Sequence, residues 1–369
     1  MTQWKRYNPI GAEEKAAVKR VFDSGVLSQY IGAWHEDFNG GTEVRAFERE
    51  LARFFGTAHA VVFNSLTSGL IAAVGAMGIK PALIEAAISE RSKGIVVADI
   101  FGHGCLLDEI KAIADQNKLF LIEDVAQAPG VKMSGRFLGT WGDIGGFSLN
   151  YHKHIHTGEG GFCICRDETV AMKMRLIRNH AESAVAGSPI NELHNMVGFN
   201  FRMGEMEAAI GREQLKKLPR LLAENQSKAE IILNALKQES WLVSTPVKHI
   251  SEHAYYVLPF RIMDHSVDKA ALISALQQRG VPGLIPGYVN IHRLPMYVEQ
   301  TAFGQFPWQF NLQQKYNYGD GVAPVAEALN DRWFFGLLIS MFDMSPDDCQ
   351  WIAAQLKAVY RELTEGNSK

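Results

Sequence analysis

GIVVADIFGHGCLLDEIKAIADQNKLFLIED, residues 94–124, decides the architecture. Its two ends, GIVVA at 94–98 and LFLIE at 119–123, are short continuous apolar runs, and Leu107–Gln116 between them reads as a helix. Strands that are apolar on both faces and alternate with helices belong to a parallel sheet covered on both sides. Such a sheet carries its chemistry on the loops that follow the carboxyl ends of its strands.

The same alternation extends outward. Upstream, Glu13–Ser24 and Glu43–Phe55 read as amphipathic helices, the second closed by Gly56. AHAVVF at 58–63 is a strand, and the small-residue segment Ser68–Met77 and Ala82–Ser89 are helices. Downstream come strands at Gly145–Leu149 and Gly161–Cys165, then helices at Glu168–Arg178 and Gly204–Leu218. Past Pro219 the texture changes. A polar helix, Leu221–Gln238, leads to a strand at Tyr255–Ile262, a helix at Asp268–Arg279 and a strand at Val281–Ile285. A loop rich in Gly, Pro and aromatics follows, and helices Val322–Leu329 and Pro346–Leu363 close the chain. This pattern predicts a large domain over 1–219 and a smaller C-terminal α/β domain over 220–369.

The bulk properties agree with an enzyme-sized globular protein. At roughly 150 residues per domain, 369 residues make two. The 47% hydrophobic content excludes a disordered segment, and 37 Lys and Arg against 40 Asp and Glu leave no basic footprint for nucleic acid. The apolar stretch Trp333–Phe342 is about half the roughly 20 residues a membrane helix needs, and Met1–Asn8 lacks the apolar core of a secretory leader. Cysteines at 105, 163, 165 and 349 have no CxxC spacing, which fits reduced thiols. The expectation is a soluble cytoplasmic protein that engages neither nucleic acid nor membrane.

Three loops after strands carry the chemistry. In GGFSLNYHKHIHTGEGG, 145–161, Lys153 lies between two apolar strands, where partial burial lowers a lysine's pKa and makes its neutral amine available for Schiff-base chemistry. At the end of LFLIED, adjacent Glu123 and Asp124 point to opposite faces, so one of the two reaches the site. In Asn64–Gly69, hydroxyls precede a helix N-terminus suited to a phosphate, although taken alone plain capping is the favoured reading. An anion cradle, a carboxylate and an amine together match pyridoxal phosphate, which needs a phosphate site, a lysine for its aldehyde and an acid for its ring nitrogen.

These segments resemble the DegT/DnrJ/EryC1/StrS family of pyridoxal-phosphate-dependent nucleotide-sugar aminotransferases. The resemblance runs through IGAEEKAAVKRVFDSGVLS (10–28), VRAFERELARFFGTAHAVVFNSLTSGL (44–70) and LIEDVAQAPG (121–130). It continues in FSLNYHKHIHTGEGG (147–161), LIRNHAES (176–183) and VGFNFRMGEMEAAIGREQLKKL (197–218). It implies the type I aminotransferase fold, with a mostly parallel central sheet covered by helices. It also implies that Lys153 is the lysine that links to the cofactor and moves the proton, and that Asp124 partners the pyridine nitrogen. Gln127 then sits beside the ring hydroxyl, and Thr67, Ser68 and Ser148 hold the phosphate. Asn200 matches an asparagine lent to the neighbouring subunit, which implies a homodimer with shared sites. The substrates it implies are an amino-acid donor such as glutamate and a keto-sugar. Some relatives are dehydratases with His at the lysine position; Lys153 favours transamination.

One place departs from the family. GIK at 78–80 is followed at once by PALIEAAISERSKGIVVADIFG at 81–102, whereas family members place two strands and a ring-stacking loop residue between the corresponding segments. The join at Lys80–Pro81 therefore implies a sheet short of two edge strands, with Gly94–Ala98 at its edge, and a cofactor held weakly or not at all. Leu66 stands where the family has a small residue before the phosphate-binding Thr. A non-catalytic binding or regulatory protein on the same scaffold is the alternative. Metal binding by His152, His154 and His156, which alternate, lacks an acidic ligand at helical spacing. A dinucleotide site lacks GxGxxG after the first strand.

Overall fold

The computed structural model of the protein describes residues 4–77, 88, 92–184, 196–244, 252–301, 304 and 318–365. The Lys80–Pro81 join lies outside them, as does the helix expected at Ala82–Ser89 apart from Ile88. The chain divides into two compact units. The larger comprises Tyr7–Gln226 and Val247–Tyr256; the other comprises Met1–Arg6, Ser227–Pro246 and Val257–Lys369.

In the larger unit β1 (His59–Phe63), β2 (Gly94–Ala98) and β3 (Phe120–Asp124) are followed by a hairpin of two-residue strands, β4 (Lys132–Met133) and β5 (Arg136–Phe137). β6 (Ile144–Ser148) and β7 (Gly161–Cys165) complete the set, and the sheet order is β1-β7-β6-β3-β2. β2, β3 and β6 pair in parallel, while β7 runs antiparallel to both β6 and β1. Four of the five strands therefore point the same way and β7 alone is reversed. Among the described residues the sheet ends at β2.

Helices α1 (Ala12–Ser24), α2 (Thr42–Phe55), α3 (Leu66–Met77), α4 (Leu107–Gln116), α5 (Glu168–Arg178) and the short α6 (Ala181–Ala184) surround it. The period-2 geometry of β1 sorts its side chains between two cores. Ala60 and Val62 join Val44, Phe47, Leu51 and Phe55 of α2, with Phe147 and Phe162 stacked at 4.6 Å. Val61 and Phe63 join Ala72 and Ala73 of α3 and Met174 and Ile177 of α5 on the other face. Each such side chain, fully buried, is worth about 1.5–3 kcal/mol before chain entropy is counted. One charge is buried with them. Arg178 of α5 donates to Glu48 Oε1 at 2.6 Å and to the Val62 carbonyl at 3.0 Å, fastening α5 to α2 and β1.

The sequence predicts two helices broken at Pro219, and the structure has one, α7 (Glu205–Ala235). Pro219 removes one backbone donor. Leu215 and Leu218 before it and Leu221 and Leu222 after it are buried in the same core, and that packing carries the helix through. At its start, the Glu205 carboxylate accepts from Gly41 N (2.8 Å), Glu43 N (2.6 Å) and Val44 N (3.3 Å), so it caps α2 across more than 160 residues of chain.

The other unit holds β8 (Leu242–Ser244), β9 (Leu258–Ile262), β10 (Leu284–Ile285) and β11 (Phe334–Leu337), all antiparallel in the order β10-β11-β9-β8. Its helices are α8 (Lys269–Gln278), α9 (Pro295–Val298), α10 (Pro324–Ala328) and α11 (Pro346–Glu365). The strand expected from Tyr255 begins at Leu258, and the preceding residues up to Tyr256 belong to the larger unit. Phe335 is fully buried on β11 and stacks on Phe260. Among the described residues no helix is long and apolar enough to cross a membrane.

Candidate active site

Because β1, β2, β3 and β6 share a direction, their carboxyl ends, Phe63, Ala98, Asp124 and Ser148, lie along one edge of the sheet. Register places Phe63, Gly161 and Ser148 in one row and Gly146, Asp124 and Ala98 in another, two residues lower on β6. The loops that follow β1, β3 and β6 are the three singled out in the sequence.

After β1, Ser65 caps α3. Its Oγ accepts from Ser68 N at 3.1 Å and lies 2.9 Å from Ser68 Oγ. Thr67 is exposed and Ser68 is buried. Leu66 turns inward onto the sheet. A Cβ on Gly161 would lie 2.3 Å from Leu66 N, and one on Gly146 would lie 2.9 Å from a Leu66 methyl, so both strands need glycine where this loop lands.

After β3, the two carboxylates part as strand geometry requires. Glu123 is fully buried and accepts from Gly139 N at 2.7 Å and Gly142 N at 2.5 Å, holding the loop before β6. Asp124 accepts from Ala126 N at 3.0 Å. Burial raises its pKa, while the Ala126 N–H and the charge of Lys153 act in the opposite direction. Gln127 Oε1 accepts from Phe101 N at 2.6 Å, tying the loop after β3 to the turn after β2.

After β6, Ser148 Oγ accepts from Asn150 N at 3.3 Å, and Lys153 N closes a turn onto the Asn150 carbonyl at 2.9 Å. Lys153 is half-buried. Burial pushes its ammonium down to about 8, against the pull of Asp124 the other way. Its Nζ lies 4.5 Å from the ring centroid of Tyr256. Sequence reasoning missed Tyr256, which lies about a hundred residues further on; the aromatic run HAYY at 253–256 was its signal.

Asn200 is exposed and bridges Asn179, and the next residue's carbonyl, Phe201 O, accepts from Asn64 N at 3.0 Å. It therefore borders the loop after β1. Of the three alternating histidines, His152 and His154 both lie near the Tyr256 ring and His156 does not share it. His154 donates through Nε2 to the Ala254 carbonyl at 2.9 Å, and His156 Nδ1 accepts from Gly158 N. Among the described residues no group of three or more His, Cys, Asp or Glu could hold a metal ion.

The donor set suits pyridoxal phosphate. A half-buried amine with a depressed pKa and a carboxylate that interact electrostatically stand on neighbouring loops, and hydroxyls gather at a helix start on the same sheet edge. The sequence pattern of the DegT/DnrJ/EryC1/StrS aminotransferase family matches residues 10–82 and 77–316. The chain is 28% identical over 356 residues to the spore coat polysaccharide biosynthesis protein SpsC of Bacillus subtilis, covering 83% of this chain and 88% of that one. It is 25% identical over 346 residues to the GDP-perosamine synthase of Vibrio cholerae, covering 80% and 89%. In three dimensions it is similar to an aminotransferase from Psychrobacter cryohalolentis, with a TM-score of 0.78, 24% identity, and coverage of 98% of this chain and 100% of that one.

Proposed function

The chain belongs to the DegT/DnrJ/EryC1/StrS aminotransferase family, whose members depend on pyridoxal phosphate, and from that premise we propose that it transfers an amino group to a keto-sugar. The acceptor is nucleotide-linked and the donor is an amino acid such as glutamate. The product feeds cell-surface polysaccharide or other amino-sugar synthesis in the cytoplasm, in keeping with the named relatives and with four free cysteines.

One observation carries the reading: the Lys153 amine, brought down to about 8 by burial, beside the charge of Asp124. When bound, the cofactor supplies the electron sink that makes the donor's Cα–H acidic. Asp124 keeps a proton on the ring nitrogen, and the charge of Lys153 helps it stay ionised for that task. Lys153 would carry the proton, since an amine brought down to about 8 keeps a usable neutral fraction near neutral pH that an ordinary lysine lacks. Thr67, Ser68 and Ser148 hold the phosphate, Gln127 flanks the ring hydroxyl, and Asn200 serves the neighbouring subunit of a homodimer.

Cofactor affinity is reduced by the join at Lys80–Pro81. The family match in two stretches that overlap at 77–82 supports this, as does a sheet that among the described residues ends at β2. The same two observations favour a second reading, a binding or regulatory protein on this scaffold. Incubation at saturating pyridoxal phosphate with glutamate and a panel of nucleotide-linked keto-sugars separates the two. Release of 2-oxoglutarate with formation of an aminated sugar nucleotide is expected. Its absence across the panel, with cofactor bound, points to the second reading.

A further inference from the structure

Residues 252–256 run along the loops at the carboxyl edge of the large sheet. Glu252 N donates to the Lys132 carbonyl at 2.8 Å, and Lys132 N returns a bond to Glu252 Oε2 at 2.9 Å. Ala254 N donates to Gly102 O at 2.7 Å in the turn after β2, and the Ala254 carbonyl accepts from His154 at 2.9 Å in the loop after β6. Gly102 has φ +101, and a Cβ there would lie 2.9 Å from Gln127 O and 3.1 Å from Tyr255 N, so only glycine lets the segment this close. The segment is thus fixed to loops following β2, β3 and β6, and it ends on Tyr256.

Tyr256 is buried, with Lys153 Nζ 4.5 Å from its ring centroid and the rings of His152 and His154 at 6.1 and 6.0 Å. The residue that carries the amine and both residues flanking it therefore pack around one aromatic ring. A ring face attracts an ammonium within about 6 Å, and more strongly where water is excluded. Unlike a carboxylate, it cannot take the proton.

We propose that Tyr256 is the positioning residue of Lys153: its ring face holds the protonated amine in place when Lys153 is not covalently engaged, without competing for the proton it carries. The assignment rests on Lys153 being the reactive lysine. Asp124 and the ring then divide the work. Asp124 favours the charge through its own charge, and the ring fixes where the charged group sits. Sequence separation hides this pairing, because residues 253–256 return to the site only through the folded sheet edge.

The test is the titration of Lys153 in the chain without cofactor. Competitive acylation at graded pH, read by peptide mass spectrometry, gives the midpoint of this one amine. The wild-type midpoint is expected at about 8. Tyr256→Phe keeps the ring face and is expected to keep that midpoint. Tyr256→Leu keeps the bulk and loses the ring face, and is expected to lower the midpoint by about half to one pH unit. Replacing Tyr256 with phenylalanine and then with its increasingly fluorinated analogues preserves shape while weakening the ring face. The midpoint is expected to fall stepwise along that series, which keeps the test open if the leucine variant does not fold. A midpoint that stays put across the fluorinated series, or in a folded leucine variant, overturns the proposal. With cofactor and donor, Tyr256→Leu is expected to lower kcat about tenfold and leave KM within about twofold; a rise in KM at constant kcat would contradict it. Because the titration needs no cofactor, it can fail while the transferase reading stands, and the reverse.

Discussion

At one end of the large sheet, β1 lies between α2 on one face and α3 and α5 on the other, and Val61, Val62 and Phe63 are wholly shielded from water. At the other end β2 pairs with β3 and buries Ile95 against Ala114 of α4, while among the described residues Val96 in its middle is left 47% exposed. Both strands are short, apolar and equally legible as strands. The difference lies in what covers them. The covered end also holds the buried Arg178–Glu48 pair, and the loop that begins α3 is seated there against two glycines. Among the described residues the sheet is thus covered on both faces where the Ser65 and Ser68 hydroxyls sit, and less fully covered at β2.

That contrast can be broken by mutation. The largest effects belong to the covered end. Phe63→Ala there is expected to cost about 3–5 kcal/mol in urea unfolding. Arg178→Met, which removes the closest partner of buried Glu48 and leaves it Arg175 at 3.7 Å, is expected to cost a similar amount, about 3–5 kcal/mol. Gly161→Ala comes next, since its Cβ would press on Leu66 N at 2.3 Å. It is expected to cost about 1–3 kcal/mol and to weaken cofactor binding by moving Ser65–Ser68, as a pyridoxal phosphate titration would show.

A smaller effect comes from Lys153. Its pKa is held near 8 in the folded chain, below the roughly 10.4 of an unfolded lysine. Between those values the unfolded chain binds more protons, so stability rises with pH across this window. Lys153→Met is expected to flatten that rise in urea midpoints compared at pH 7.5 and 10, when measured beside the wild type. The smallest effect belongs to the open end, where Val96→Ala is expected to change stability by less than about 0.5 kcal/mol. A loss there as large as that of Phe63→Ala would show that β2 is covered after all, and would erase the contrast.

Much of this was readable in the chain because the signals are local. Continuous apolar runs mark β1, β2, β3 and β7, and β6 was visible despite its two glycines. The divergence of Glu123 and Asp124 follows from strand period alone, and the structure sends Glu123 to Gly139 and Gly142. What escaped depends on contacts between distant residues. Pro219 signals a helix end locally, and only the burial of Leu215 through Leu222 overrides it. β4 and β5 are two residues each, too short for a periodicity. The strand at Phe334–Leu337 was not readable as β11, because WFFGLL is apolar throughout and carries no period. Glu205 reads as an ordinary first-turn acid, yet it caps another helix. Tyr256 reads as part of a strand in the smaller unit, and the fold returns it to Lys153.

The central claim is that the loops after β1, β3 and β6 form a pyridoxal phosphate site around Lys153. It is tested most directly by titrating the cofactor into wild-type protein and Lys153→Ala, recording the visible spectrum, then reducing with borohydride and mapping the labelled peptide. The account predicts a saturable band in the wild type, the label on Lys153, and neither in Lys153→Ala. Absence of a saturable band in the wild type, or the label on another lysine, would contradict it.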